Sequence, residues 1–224
     1  MSAEPQPPII SLTECSAEEI GRRLRTWNMD TDGIMISIAD PKGAHGFAAG
    51  LNKSLSIQIN GDLGDFAFML NEEAEIEVKG NIGSCAGHSL SSGFLMVNGN
   101  AGDAFGAYAT GGIVACIGRV GMRCGLGLAG GDVVVRSEVG DEAAFGMTSG
   151  TLVLGNSVGD HLGAGMKGGT IFVRGAVKSV AAGIRENRLK DADTMRLSLL
   201  LARAGIRASA KEFRVYRPQG GIHQ

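Results

Sequence analysis

The chain has no C-x-x-C pair, no block of basic residues and no apolar run near the roughly 20 residues that a membrane span needs. Each absence removes a class of protein. Cys15, Cys85, Cys116 and Cys124 lack the paired spacing of a zinc or redox site, and 224 residues supply a core that needs no disulfide staples. A formal net charge of −2 without a basic cluster argues against nucleic acid as the main partner. The opening MSAEPQPP has neither a basic n-region nor an apolar h-region. The expectation is a cytoplasmic protein with no membrane association.

Glycine is what the chain has in excess: 36 residues, about twice the average share of roughly 7%. With 44% hydrophobic residues the chain is no flexible linker, so the glycines are positional. Gly125, Gly127 and Gly130 spell G-x-G-x-x-G, the dinucleotide fingerprint. That fingerprint acts only after a strand and at the start of a helix, where backbone N–H groups meet a pyrophosphate. Here it leads into Asp132-Val133-Val134-Val135, a strand pattern. The glycines need another cause.

A repeat supplies it. Gly64, Gly83, Gly102, Gly121, Gly140 and Gly159 stand 19 residues apart. Gly93, Gly112, Gly131, Gly150 and Gly169 form a second ladder with that spacing. Gly87, Gly106, Gly125 and Gly163 form a third, interrupted by Ala144. Aliphatic columns keep step from Ile57 to Ile171, from Ile59 to Val173 and from Leu63 to Val177. Within each unit the first two columns lie two residues apart, which is the strand period. Seven such units predict a parallel β-helix whose rungs stack at ~4.8 Å, with the apolar columns inside. The ladder glycines are expected at corners that demand a positive φ.

The flanks read as caps, since a solenoid exposes strand edges at its ends. Ser16-Ala17-Glu18-Glu19 is a capping box, and Ile20, Leu24 and Trp27 continue an apolar stripe, predicting a helix over about 16–27. Residues 33–50, with Ile34, Ile36 and Ile38, suggest an irregular leading rung or lid. A second helix is predicted over about 191–204, with Met195, Leu199 and Ala202 on one side and Leu197, Leu200 and Leu201 widening it. A short helix near 208–212 and a strand-like FRVYRP at 213–218 follow. Three parts result: an arm, capping helix and leading rung at 1–50, the β-helix at 51–178, and a helical cap and tail at 179–224. The outward row Gln58, Glu77, Met96, Ala115, Val134, Val153, Phe172 turns apolar along the axis. Val134, Val153 and Phe172 are therefore expected under the C-terminal helix or under a partner subunit.

Candidates for chemistry are few. His45, His88, His161 and His223 occupy different phases of the repeat, so stacking does not gather them. Cys116 lies in an inward column, and Cys85 and Cys124 sit two rungs apart, too distant for one metal centre. Asp65, Asp103, Asp141 and Asp160 follow a ladder glycine, where Asx side chains cap turns. No catalytic, cofactor or metal residue is assigned in this chain.

The pattern G-x-x-G-x-x-x-G stands intact at Gly80/Gly83/Gly87, Gly99/Gly102/Gly106 and Gly118/Gly121/Gly125. With GNAGDAFGAYATGG at 99–112 and GDHLGAGMKGGTIFVRG at 159–175, it closely resembles the GXGXG domain that closes the large subunit of glutamate synthase. The resemblance covers roughly 45–217 and includes the tail EFRVYRP. It implies a right-handed, single-stranded parallel β-helix with a structural role. In that family the domain packs between a glutaminase domain, which frees ammonia, and an FMN-containing synthase domain. FMN and an iron–sulfur cluster are then expected in partner subunits. On this sequence the domain carries neither an amidotransferase cysteine at its N-terminus nor an FMN barrel, which implies a split enzyme resembling N-methylglutamate synthase. Alternatives are a component like the GXGXG-containing subunit of formylmethanofuran dehydrogenase or of a formyltransferase/hydrolase complex, and a self-contained β-helix enzyme. The last would need a carboxylate or Lys/Arg cluster on an outer strand face.

Overall fold

A computed structural model describes residues 9–12, 16–27 and 34–220 of the chain. Cys15, His223 and the first eight residues of the N-terminal arm lie outside them. The described chain is a parallel β-solenoid of about seven turns with two α-helices. Its strands are β1 (Ile9–Leu12), β2 (Met35–Ala39), β3 (Ser56–Asn60), β4 (Glu75–Val78), β5 (Phe94–Val97), β6 (Ile113–Cys116), β7 (Ala129–Val135), β8 (Ser149–Leu154) and β9 (Thr170–Val173). Each pairs in parallel with the next.

The register follows the repeat. Val97 stands beside Cys116, and Cys116 beside Val135, all fully buried. A second wall closes the tube through single parallel bridges joining Ile82, Ala101, Val120, Val139, Val158 and Val177. Each inward aliphatic side chain contributes roughly 1.5–3 kcal/mol by leaving water, and stacking puts like on like in every rung.

The leading rung is more regular than expected. Ile36 and Ile38 pair with Ile57 and Ile59, so the strand ladder begins before residue 51. The rung departs from the repeat in length alone: its register offset, from Ile36 to Ile57, is two residues longer than the standard rung. α1 (Ala17–Arg25) starts at Ser16, whose hydroxyl accepts the Glu19 N–H, and it buries Ile20 and Leu24. Trp27 lies past its end and packs partly buried on the same core.

The far end is closed by strands rather than by a helix. β10 (Ile184–Asn187) and β11 (Arg214–Pro218) complete the sheet: β11 runs antiparallel to β9, and β10 runs antiparallel to β11 as the outermost strand. The change of direction ends parallel stacking. Exposed Arg185, Glu186 and Asn187 on β10 discourage pairing with another chain. α2 (Asp191–Arg203) is no end cap; it lies along the outer face of the sheet, and a 3₁₀ turn (Ala210–Glu212) leads from it into β11. Its buried residues are Leu197, Leu200 and Leu201, whereas Met195 and Leu199, 69% and 65% exposed, face solvent. Of the broad apolar surface expected for this helix, the Leu197/Leu200/Leu201 part is buried and the Met195/Leu199 part is not, because the sheet's apolar row packs against the former.

Candidate functional site

The ten glycines that the sequence marks as structural are of two kinds. Gly87, Gly106, Gly125 and Gly163 do hold left-handed backbone, with φ from 66° to 75°. Gly64, Gly83, Gly102, Gly121, Gly140 and Gly159 do not, which corrects their expected role. They are glycine because the preceding rung leaves no room for a Cβ. At Gly102 that atom would lie 2.6 Å from the Ser84 backbone nitrogen and 2.7 Å from Ser84 Oγ. At Gly83, Gly121 and Gly159 it would fall on the carboxylates of Asp65, Asp103 and Asp141. Those carboxylates do not cap their own turns. Each reaches forward and accepts a backbone N–H of the next rung, from Ser84 (2.7 Å), Met122 (2.8 Å) and Asp160 (2.7 Å). Glycine and aspartate are thus one device: the missing Cβ admits the Asx bridge between rungs.

Left-handed backbone also occurs where no glycine announces it. Phe66, Cys85, Ala104, Arg123, Glu142 and His161, one per rung, have φ between 54° and 59°. Ala144 takes φ 61° in the place of a ladder glycine. Each costs roughly 1–2 kcal/mol. Inter-rung hydrogen bonds hold this column, such as Cys85 N–H to Asp103 O and Arg123 N–H to Asp141 O, both 2.8 Å.

The G-x-G-x-x-G stretch opens no helix; it runs into β7. A Cβ on Gly127 would collide with the Tyr108 ring, so this glycine seats an aromatic side chain.

Val134, Val153 and Phe172 lie under the chain's own C-terminal segment. With Ala115 they pack against Leu197, Leu200, Leu201, Ala204, Phe213 and Val215, and none is more than 1% exposed. Asp132, 8% exposed, is gripped by both contacts of the Arg196 guanidinium at 2.7 and 2.8 Å, which pins α2 to β7. The early part of the same outer face stays open. Its carboxylates are already partnered, Glu75 with Arg203 and Glu77 with Asn98, and Arg203 also lies over the Phe94 ring.

The remaining polar candidates are spread out. His45 Nδ1 accepts the Asp65 N–H at 3.0 Å. His88 does have partners, Ser89 Oγ at 2.8 Å and the Tyr108 ring at 5.2 Å, and burial lowers its pKa. Asp160 is held below the usual carboxylate range, first by the Lys178 ammonium and then by Ser179. Burial pushes the Cys116 thiol up to about 12 and raises Cys124 as well, so neither presents a thiolate near neutral pH. Cys85 is raised by partial burial and by Asp65 and Asp103. Among the described residues no group of three or more His, Cys, Asp or Glu could hold a metal ion, and no helix is long and apolar enough to cross a membrane.

The turns carry a feature the repeat did not reveal. Phe66, Leu70, Tyr108 and Phe145, 40–50% exposed, project from the turn segments that follow β3, β5 and β7. Tyr108 bridges rungs, touching His88 before it and covering Gly127 after it. Arg123 lies over Phe145 and pairs with Glu142. Four rung steps separate β3 from β7, about 19 Å at the usual strand spacing. Leu70 and Tyr108 share one phase of the 19-residue period, with Ser89 between them, while Phe66 and Phe145 fall in other phases, so no continuous column marks the patch.

No protein-family model matches the chain, and no curated protein matches it.

Proposed function

We propose that the chain is a non-catalytic structural and coupling subunit of a glutamate-synthase-like enzyme of the N-methylglutamate synthase type. In this reading it bridges a glutaminase-type amidotransferase subunit and an FMN-dependent synthase subunit, and FMN and an iron–sulfur cluster belong to the partners. One observation carries the reading. The residues of the G-x-x-G-x-x-x-G resemblance are those that bring rungs into contact: Gly80, Gly99 and Gly118 against the preceding rung's backbone, Gly83, Gly102 and Gly121 against its Asx bridges and turns, and Gly87 at a left-handed turn. The motif therefore builds a stiff rod, the property a bridging subunit needs. The exposed Phe66, Leu70, Tyr108 and Phe145 suit a protein partner, since aromatic residues are enriched at interfaces.

The test is reconstitution. Calorimetric titration of the purified chain with FMN, FAD, NAD or NADP should give no binding. Mixed with glutaminase-type and FMN-dependent synthase-type subunits, the chain should co-elute with both. Stoichiometric cofactor on the chain alone, turnover by it alone, or elution apart from both partners would overturn the reading.

A further inference from the structure

A second feature lies at the end of the solenoid, away from the turn edge. Four segments meet there: the turn leading into β9, the end of β10, the start of α2 and the end of β11. They line a half-open recess of about 630 Å³. Among the described residues, Lys167, Arg188, Lys190 and Arg217 line it, with Asp193 as the one carboxylate. Four cations to one anion is a strong local excess in a chain whose formal net charge is −2.

The single carboxylate is already used. Asp193 pairs with Arg217 and accepts the Lys190 backbone N–H at 2.9 Å, while Arg217 Nε donates to Thr170 Oγ1 at 3.1 Å. Arg217 is thereby held in place with its side chain one-quarter exposed. Lys167, Arg188 and Lys190 make no ion pair among the described residues. Lys167, Arg188 and Lys190 are exposed, so water screens their mutual repulsion, but an anion seated between them would be attracted by all of them at once. The first turn of α2 adds the positive end of its backbone dipole to the same side.

We propose that this recess binds a small anion carrying at least two oxyanion groups, a diphosphate or a di- or tricarboxylate. The recess is half open, and its volume falls within the range of small-ligand sites. Among the described residues the lining contains no aromatic ring on which a base could stack, which disfavours a nucleotide or a single strand. Four cations drawn from three segments fit several oxyanions better than one. Arginine supplies planar forks and lysine point charges, both suited to phosphate or carboxylate oxygens. This inference does not depend on the bridging role.

Titration calorimetry of the full chain at low ionic strength tests it, with inorganic pyrophosphate and citrate as the probes. One of them should bind saturably at one site per chain and weaken as salt rises. Tighter binding of pyrophosphate assigns a phosphate ligand, and tighter binding of citrate a polycarboxylate. Arg188→Gln and Lys167→Gln should each weaken binding about tenfold, the effect of losing one charge-assisted hydrogen bond. Neither should change the melting temperature. Arg207→Gln removes the same charge from an exposed position that does not line the recess and should leave the affinity unchanged. Absence of saturable binding by both probes would overturn the proposal. So would affinity equal to that of the parent chain in both recess variants, or a loss in Arg207→Gln as large as theirs.

Discussion

Gly102→Val should lower the melting temperature by roughly 10–15 °C, or prevent folding outright. Its Cβ would sit 2.6 Å from the backbone nitrogen of Ser84 and 2.8 Å from the Gly83 carbonyl carbon. Backbone atoms in the middle of a stacked solenoid cannot step aside singly. Relief requires separating two rungs, and the Gly102 N–H is bonded to Ile82 O at 3.0 Å across that junction. A cost of ~4 kcal/mol belongs with the severe overpacking substitutions, and a chain of this size loses roughly 2–4 °C per kcal/mol. The cause is space, since Gly102 has no left-handed φ. Gly146 supplies the control. It has φ 65° and nothing within 4 Å of where a methyl would stand, so Gly146→Ala should cost only ~1 kcal/mol, from backbone strain. Thermal melts of the two variants check the ranking. A Gly102→Val melt at or above that of Gly146→Ala would contradict the stacking account.

The second large effect is expected at Leu201→Asp. Leu201 is 2% exposed and belongs to the cluster that joins α2 to Ala115, Val134, Val153 and Phe172. Removing a buried leucine costs roughly 2–5 kcal/mol, and an unpaired carboxylate in its place adds a desolvation penalty that the helix avoids by lifting away. The rungs beneath retain their own inward columns, so the solenoid should persist while α2 detaches. Limited proteolysis should cut within 191–203 at a protease level that leaves the parent chain whole, with the β-sheet circular dichroism signal kept. Met195→Asp and Leu199→Asp, on the exposed side of the same helix, should behave like the parent. Identical digestion of Leu201→Asp and parent would mean that α2 gains nothing from the sheet.

The repeat made most of the architecture legible. Seven strands, their register and the second wall could be read from aliphatic columns, because in-register stacking writes one contact pattern again in every rung. The cause of the glycine ladder was not legible: a φ constraint and a space constraint both select glycine, and the Asx bridge that separates them is visible only across rungs. The left-handed column from Phe66 to His161 was hidden for the opposite reason, since inter-rung hydrogen bonds impose that conformation on residues that do not announce it. The face of α2 could not be chosen from its own sequence, as leucines and methionine surround most of the helix. For the site, the apolar outer row was readable and its cover was left between two occupants. The basic recess was invisible, because Lys167, the Arg188–Lys190 stretch and Arg217 are remote in sequence and meet only where β11 folds back onto β9.

The bridging proposal is tested most directly by following nitrogen. Glutamine labelled with heavy nitrogen at its side-chain amide is supplied to the glutaminase-type and synthase-type subunits, with unlabelled ammonium in solution, in the presence and absence of the chain. The 2-oxo acid acceptor of glutamate synthase is supplied and methylamine is left out, since the nitrogen of N-methylglutamate comes from methylamine. If the chain couples the two catalytic subunits, its presence should raise the labelled fraction at the α-amino nitrogen of the glutamate formed. Omitting it should return that nitrogen to unlabelled solution ammonium. Equal labelling with and without the chain would contradict the account.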